Sequence, residues 1–326
     1  MKIGRSSALG SEIQRFESGT FESALRLAAD AGVLKSVCLE KQIAFLAKTL
    51  PARASGAGDD DVSPGATREL TGERLFPSLT AAISALVHEI QVERGTSSVY
   101  LSSQGRLFAS EMRGQWGATD ERRTQLTTLL RSHAGGLPGP FVAHLEHAER
   151  LLAELGALRA EVEALNASAA GAIERYSNVT RDLLFVIDSL AMNGFYARSR
   201  PTALAWMALL HAKEKTGQER AQLATAFTQD RYADGQHAVV SALIASCDSY
   251  LHVFSAAAPR LAGDLLRQKL QTDVATAVTD MERVALRRRE GGFGIDPRAW
   301  FSTMSRKMDF LGDVESSIRA SLTPGM

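Results

Sequence analysis

The chain has 326 residues, enough for two packed units or one elongated helical domain, and 45% of them are hydrophobic, ample for a core. Lys plus Arg and Asp plus Glu balance at 37 each, which disfavours a dominant DNA- or RNA-binding surface, since such a surface carries a basic excess. Only Cys38 and Cys247 occur, with neither metal spacing nor a disulfide framework, so a reducing cytoplasm is the expected compartment. No continuous run of about 18 apolar residues is present to span a membrane, and the stretch from Met1 to Arg5 lacks the apolar core of a secretory signal.

Along the chain the apolar pattern is helical almost throughout. Residues 11–50 predict one or two short helices, with Leu25, Leu27, Val33, Leu34, Val37 and Leu46 apolar. From Pro51 to Gly72 the chain gathers Gly, Pro, Ser and the acidic run Asp59-Asp60-Asp61, the composition of a flexible linker. This divides the molecule into an N-terminal helical segment plus linker, 1–72, and a helical domain, 73–323.

A long helix is expected from near Pro77 to about Ser103, closed by Gly105, and a second from Phe108 to His133, stopped by the Gly- and Pro-rich stretch from Gly135 to Pro140. A third carries Leu145, Leu152, Leu155, Leu158, Val162 and Leu165; a fourth carries Ile173, Tyr176, Val179, Leu183 and Ile187 and ends near Gly194. Pro201 precedes the next helix, and another with Val239, Leu243, Ile244, Cys247 and Leu251 follows it. After Pro259 one apolar pattern continues from Leu261 through Leu270, Val274 and Val284, broken by Gly291-Gly292-Phe293-Gly294. Asp296-Pro297 then restarts a helix, an N-cap followed by proline at the first helical position, and this last helix reaches about Leu322. The expected fold class is all-α: two antiparallel four-helix bundles packed together, with an N-terminal helical extension.

Two arginines stand where apolar residues are expected. Arg94 falls four residues after Ile90, on the stripe of Ile83, Leu86, Val87 and Ile90. Arg220 continues the stripe marked by Trp206, Leu209, Leu210, Leu223 and Phe227. A guanidinium cannot shed its proton readily to escape burial, so each needs an internal carboxylate, a path to water along its own stem, or an anion from solution. Neither stripe offers an obvious carboxylate of its own. Both arginines follow a Glu, have a Gln just upstream and precede a small residue, Gly95 or Ala221, which lets another group come close.

In Gln91-Val92-Glu93-Arg94-Gly95-Thr96-Ser97, followed by Tyr100-Leu101, the chain resembles the first signature of the nitrate- and nitrite-sensing (NIT) domain. Lys213-Glu214 with Gly217-Gln218-Glu219-Arg220-Ala221, and Phe227 beyond, resembles the second. The resemblance extends from about Leu75 to Leu322. It implies two four-helix bundles and a nitrate or nitrite ion held between helices by arginines of the two signatures, here Arg94 and Arg220. Members join the module to an output such as an RNA-binding antitermination domain, a kinase or a chemoreceptor signalling region; no such output is expected after Leu322.

Paired N–H groups of a guanidinium can match the oxygens of planar nitrate. Thr96 and Ser97 are candidate hydroxyl donors, and Lys213, seven residues before Arg220 on the same face, is a candidate extra charge or a snorkelling side chain. Glu93 and Glu219 lie about 100° around their helices from the arginines and are expected to face neighbouring helices.

The remaining constellations are weak. His144 and His147 form a metal edge without a third ligand, and Gly292-Phe293-Gly294 follows no strand. Arg287-Arg288-Arg289 suits a helix C-terminus or a nucleic-acid contact. No catalytic triad context appears. The expectation is therefore a cytoplasmic nitrate/nitrite sensor, not an enzyme and without cofactor or metal, that signals to a protein partner by helix rearrangement. Nucleic acid is disfavoured as a partner, and a homodimer is left open. The alternatives are a nucleic-acid-binding regulator of the antitermination type, or a helical scaffold in which both arginines meet internal carboxylates.

Overall fold

The computed structural model describes residues 64–132, 139–192 and 200–322. The short helices expected within 11–50, the acidic run at Asp59–Asp61 and most of the Gly135–Pro140 turn lie outside the described residues. Among the described residues there are ten helices and no strand: α1 (Pro64–Ser102), α2 (Ala109–Ser132), α3 (Gly139–Ala153), α4 (Leu155–Glu163), α5 (Ala169–Met192), α6 (Arg200–Gln229), α7 (Gln236–Ala257), α8 (Arg260–Lys269), α9 (Asp273–Arg287) and α10 (Pro297–Leu322).

The all-helical class is as the periodicity predicts, while three boundaries differ. Helix α1 begins at Pro64 and runs through Pro77, so residues 64–72 of the expected linker are helical. Pro64 sits at the first helical position, where its missing N–H is harmless, and Ala66, Arg68, Glu69 and Leu70 behind it favour helix. The expected third helix is interrupted at Glu154. The pattern after Pro259 is likewise split, because Thr272 adopts an extended backbone and its hydroxyl accepts from the Ala275 N–H as an N-cap. Asp296 caps α10 as expected, accepting from the Arg298 N–H at 3.1 Å. Helix α7 is long and apolar enough to cross a membrane by length and composition, an exception to the sequence expectation. It packs along α6 with Val240, Leu243, Cys247 and Phe254 buried, and carries Asp248 within its span.

Helix α1 packs against α2, α5 and α6, and α3 packs on α5; α6 packs against α7 and α10, and α8 and α9 pack on α10. Two hydrophobic clusters result. The first includes Leu79, Ile83, Leu86 and Ile90 of α1, Val179 and Leu183 of α5, and Trp206 and Leu210 of α6. The second includes Val99 of α1, Leu223 and Phe227 of α6, and Trp300 and Met304 of α10. A fully buried Leu or Ile contributes about 1.5–3 kcal/mol, so these clusters fix α1 against α6. Between Ile90 and Val99 on α1, and between Leu210 and Leu223 on α6, both helices turn polar while staying buried: Gln91, Glu93, Arg94, Thr96, Ser97 and Ser98 on one, His211, Lys213, Glu214, Thr216, Glu219 and Arg220 on the other. The fold thus places the two signature segments side by side inside the protein.

Candidate functional site

Arg94 and Arg220 are 0% and 1% exposed, among the largest fully buried side chains of the molecule. Neither reaches water along its stem. Their surroundings differ. Arg94 Nη1 donates to Glu214 Oε1 at 2.6 Å and to Ser177 Oγ at 2.9 Å, and Nη2 lies 3.4 Å from Glu214 Oε2. Glu214 is itself held by three further donors: Gln91 Nε2 at 2.8 Å, Thr180 Oγ1 at 2.9 Å and Gln218 Nε2 at 2.7 Å. Burial pushes its pKa up, but the Arg94 charge and the Arg94 and Gln91 donors outweigh that and hold the carboxyl below its usual range.

Arg220 has no carboxylate within hydrogen-bond distance among the described residues. Nη1 donates to Ser305 Oγ at 2.8 Å and Nη2 to the Gln91 carbonyl at 2.9 Å, while the guanidinium carbon lies 4.6 Å from the centre of the Phe301 ring. Two neutral acceptors and a ring face cannot neutralise it. Burial, then the nearby Arg94 charge, pushes its pKa down to about 9, outweighing the more distant Asp309 and Glu214 charges, which raise it. The Nε–H groups of both arginines are buried and have no hydrogen-bond partner among the described residues. Such donors are unusual, since more than nine in ten buried polar groups in proteins are paired.

Two helix-interior glycines let the arginines approach. A Cβ on Gly217 would sit 2.8 Å from Arg94 Nη2, and one on Gly95 would sit 2.6 Å from Phe301 Cε2 and 3.5 Å from Arg220 Nε. Gly217 thus opens a notch for Arg94 and Gly95 one for the Phe301 ring that covers Arg220, which explains glycine in helix interiors where it costs roughly 1 kcal/mol relative to Ala.

The other sequence candidates sit elsewhere in the polar layer. Lys213 does not snorkel; it is buried and pairs with Glu315 at 2.6 Å. The Thr96 hydroxyl donates to its own helix, at the Val92 and Glu93 carbonyls, and Ser97 Oγ lies 3.4 Å from the Tyr176 hydroxyl. Glu93 faces a neighbouring helix as expected, holding Arg159 through both oxygens at 2.8 and 2.9 Å and accepting from Tyr176 at 2.9 Å. Glu219 is buried against Glu282 and Lys307, and burial followed by the Glu282 charge raises its pKa well above the usual carboxylate range.

Sequence reasoning missed Glu214, Ser177, Ser305 and Phe301. Glu214 had a legible signal: Glu214, Gly217 and Gln218 fall at i, i+3 and i+4, a polar helix face with a notch in it, and such a face needs a buried charged partner.

The two signature segments thus meet in one buried polar layer that carries both arginines on paired helices. The chain belongs to the nitrate and nitrite sensing (NIT) family, whose model matches residues 85–323. It is 27% identical over 246 residues to a nitrate regulatory protein of Klebsiella oxytoca; the match covers 75% of this chain and 62% of that protein, so the chain spans under two thirds of its relative's length. Among solved structures it resembles the NasR transcription antiterminator, with a TM-score of 0.73 and 26% identity, covering 78% of this chain and 70% of that one.

Proposed function

We propose that Arg94 and Arg220 together bind a nitrate or nitrite ion, and that its occupancy shifts α1 against α6 to signal to a partner of this cytoplasmic protein. The observation that carries this is Arg220: a fully buried guanidinium with no carboxylate in hydrogen-bond reach among the described residues, next to a second guanidinium. A scaffold would be expected to give each arginine its own paired carboxylate, and among the described residues only Arg94 has one. The family membership and the regulatory name of the relative support the ligand class, and both descriptions are of sensing and regulation rather than catalysis.

An anion that binds only the folded protein stabilises it by about 2.7 kcal/mol at a hundredfold excess over Kd. Nitrate is therefore expected to raise the melting temperature of the wild type, and R220A to abolish the shift. Arg220→Lys is expected to restore little, since a point charge does not reproduce the planar fork. Calorimetric titration checks this: R220A binding nitrate with unchanged affinity would remove Arg220 from the site.

A second function, regulation through nucleic acid, is favoured by the structural neighbour's description as a transcription antiterminator. The exposed run Arg287–Arg289 at the end of α9 is the surface in this chain that such a contact would use. RNA binding that weakens steeply with salt and is lost in a triple Arg→Ala variant supports it; salt-independent or absent binding removes it.

A further inference from the structure

We infer that Glu214 sets the charge class of the ligand, making the arginine site one for a monovalent anion and excluding dianions such as sulfate and hydrogen phosphate. This rests on Arg94 and Arg220 being the anion site.

Four cations of the polar layer each have a carboxylate partner, Glu219 is a further carboxyl whose pKa is raised by burial, and exposed Asp309 acts on Arg220 only at a distance. Arg159 pairs with Glu93 at 2.8 Å, Lys213 with Glu315 at 2.6 Å, Lys307 with Glu282 at 3.2 Å and Arg94 with Glu214 at 2.6 Å. Among the described residues Arg220 is the buried cation left over. Two guanidiniums and one carboxylate leave a single positive unit, which one monovalent anion neutralises. A dianion would instead leave a negative charge in the interior, next to a carboxylate and with no cation to meet it, a heavy penalty. Glu214 is suited to this role because it is fixed. Four side chains donate to it, from α1, α5 and α6, and it stays ionised at neutral pH because the Arg94 charge and its donors overcome the cost of burial. Specificity here comes from a repulsive element beside the attractive ones.

A purely structural Glu214, needed only to hold Arg94, makes a different prediction: its loss weakens every anion alike. Glu214→Gln separates the two. The introduced amide oxygen can still accept from Arg94, and its nitrogen can donate to Gln91 Oε1, which is buried without a partner among the described residues. The site charge rises by one unit.

The experiment is calorimetric titration of the full chain with sodium nitrate and sodium sulfate at constant ionic strength, for the wild type and E214Q. The wild type is expected to bind nitrate undisturbed by a tenfold excess of sulfate, and E214Q to gain at least about tenfold in sulfate affinity relative to nitrate, the equivalent of 1.4 kcal/mol. Thr180→Val, which removes a donor to Glu214 without changing charge, is expected to leave the ratio where it was. An unchanged ratio in E214Q overturns the inference. Equal competition by sulfate in the wild type overturns it as well, and that result does not depend on E214Q folding. Failure of the wild type to bind nitrate at all sinks the anion-site assignment itself, which is a distinguishable outcome.

Discussion

Arg94 and Arg220 enter one buried layer from neighbouring helices, carry the same group, and are met in opposite ways. Arg94 finds a carboxylate fixed by three other donors and a serine hydroxyl behind it. Arg220 finds a backbone carbonyl, a hydroxyl and the face of a phenylalanine. The first arrangement clamps α1 to α6 and α5. The second leaves a charge that no carboxylate meets within hydrogen-bond distance among the described residues, with Asp309 and Glu214 acting only from further away. The difference teaches that two arginines in related sequence settings need not share a role: one is paired within the fold, and the other has no carboxylate in hydrogen-bond reach among the described residues.

The sharpest test of that asymmetry is stability without added anion. R94A strands a buried Glu214 carboxylate, and breaking one side of a buried pair costs on the order of 3–5 kcal/mol. R220A instead removes a charge with no hydrogen-bonded carboxylate among the described residues and relieves repulsion at Arg94, which offsets the cost of the cavity it leaves, so a clearly smaller loss than for R94A is expected. Urea unfolding in nitrate-free buffer measures both. Equal losses for the two variants would show that Arg220 is structurally paired after all and break the comparison.

The glycine notches give the next largest effect. G217A drives a methyl group against Arg94 Nη2, and G95A drives one against the Phe301 ring that covers Arg220. Overpacking of this kind costs about 1–3 kcal/mol. G217A is expected to lose more stability, because Arg94 is tied to Glu214 and cannot yield. G95A is expected to weaken nitrate binding with less loss of stability, since the Phe301 ring can shift. Paired melting curves and titrations check this, and a reversed order would sink it.

How far the sequence reached follows the same division. A guanidinium on an apolar stripe is visible from helical spacing alone, so both arginines could be found. Their partners could not. Glu214 lies 120 residues from Arg94, and nothing local says that α6 turns that face toward α1. Lys213 was legible as a charge on the Arg220 face, but its partner Glu315 lies 102 residues away on α10, so its burial was not. The helical class was plain because one period persists along the chain. The split between α8 and α9 was hidden because Leu266, Leu270, Val274 and Val278 keep that period across it; only Thr272, read as an N-cap, signals the restart. The start of α1 was misplaced because Pro77 suits a first helical turn as well as Pro64 does.

The smallest effect concerns the residue beside Arg220. Glu219 is buried with one oxygen unpaired, and it faces Glu282 and Lys307, with Asp248, the Cys247 thiol and Tyr232 also in its field. Burial first, then the Glu282 charge, raises its folded pKa well above 4.5. The unfolded chain releases this proton near pH 4.5 while the folded chain keeps it, so over that interval the folded state binds more protons. Stability from this group is therefore fully present below about pH 4.5 and declines as pH rises toward and through the raised folded pKa. A glutamine side chain at this position needs no proton to stay neutral. Glu219→Gln is accordingly expected to flatten the decline and raise the melting temperature at pH 8, by about 2–4 °C for each kcal/mol recovered. At pH 4 the two proteins should melt together. The variant should also leave the Arg94–Glu214 clamp untouched, so R94A is expected to destabilise the E219Q background as much as the wild type. A melting temperature lowered by E219Q at pH 8 would show that Glu219 is ionised in the folded protein. Arg220 would then have a buried negative neighbour, and the contrast between the two arginines would shrink to one of geometry rather than charge.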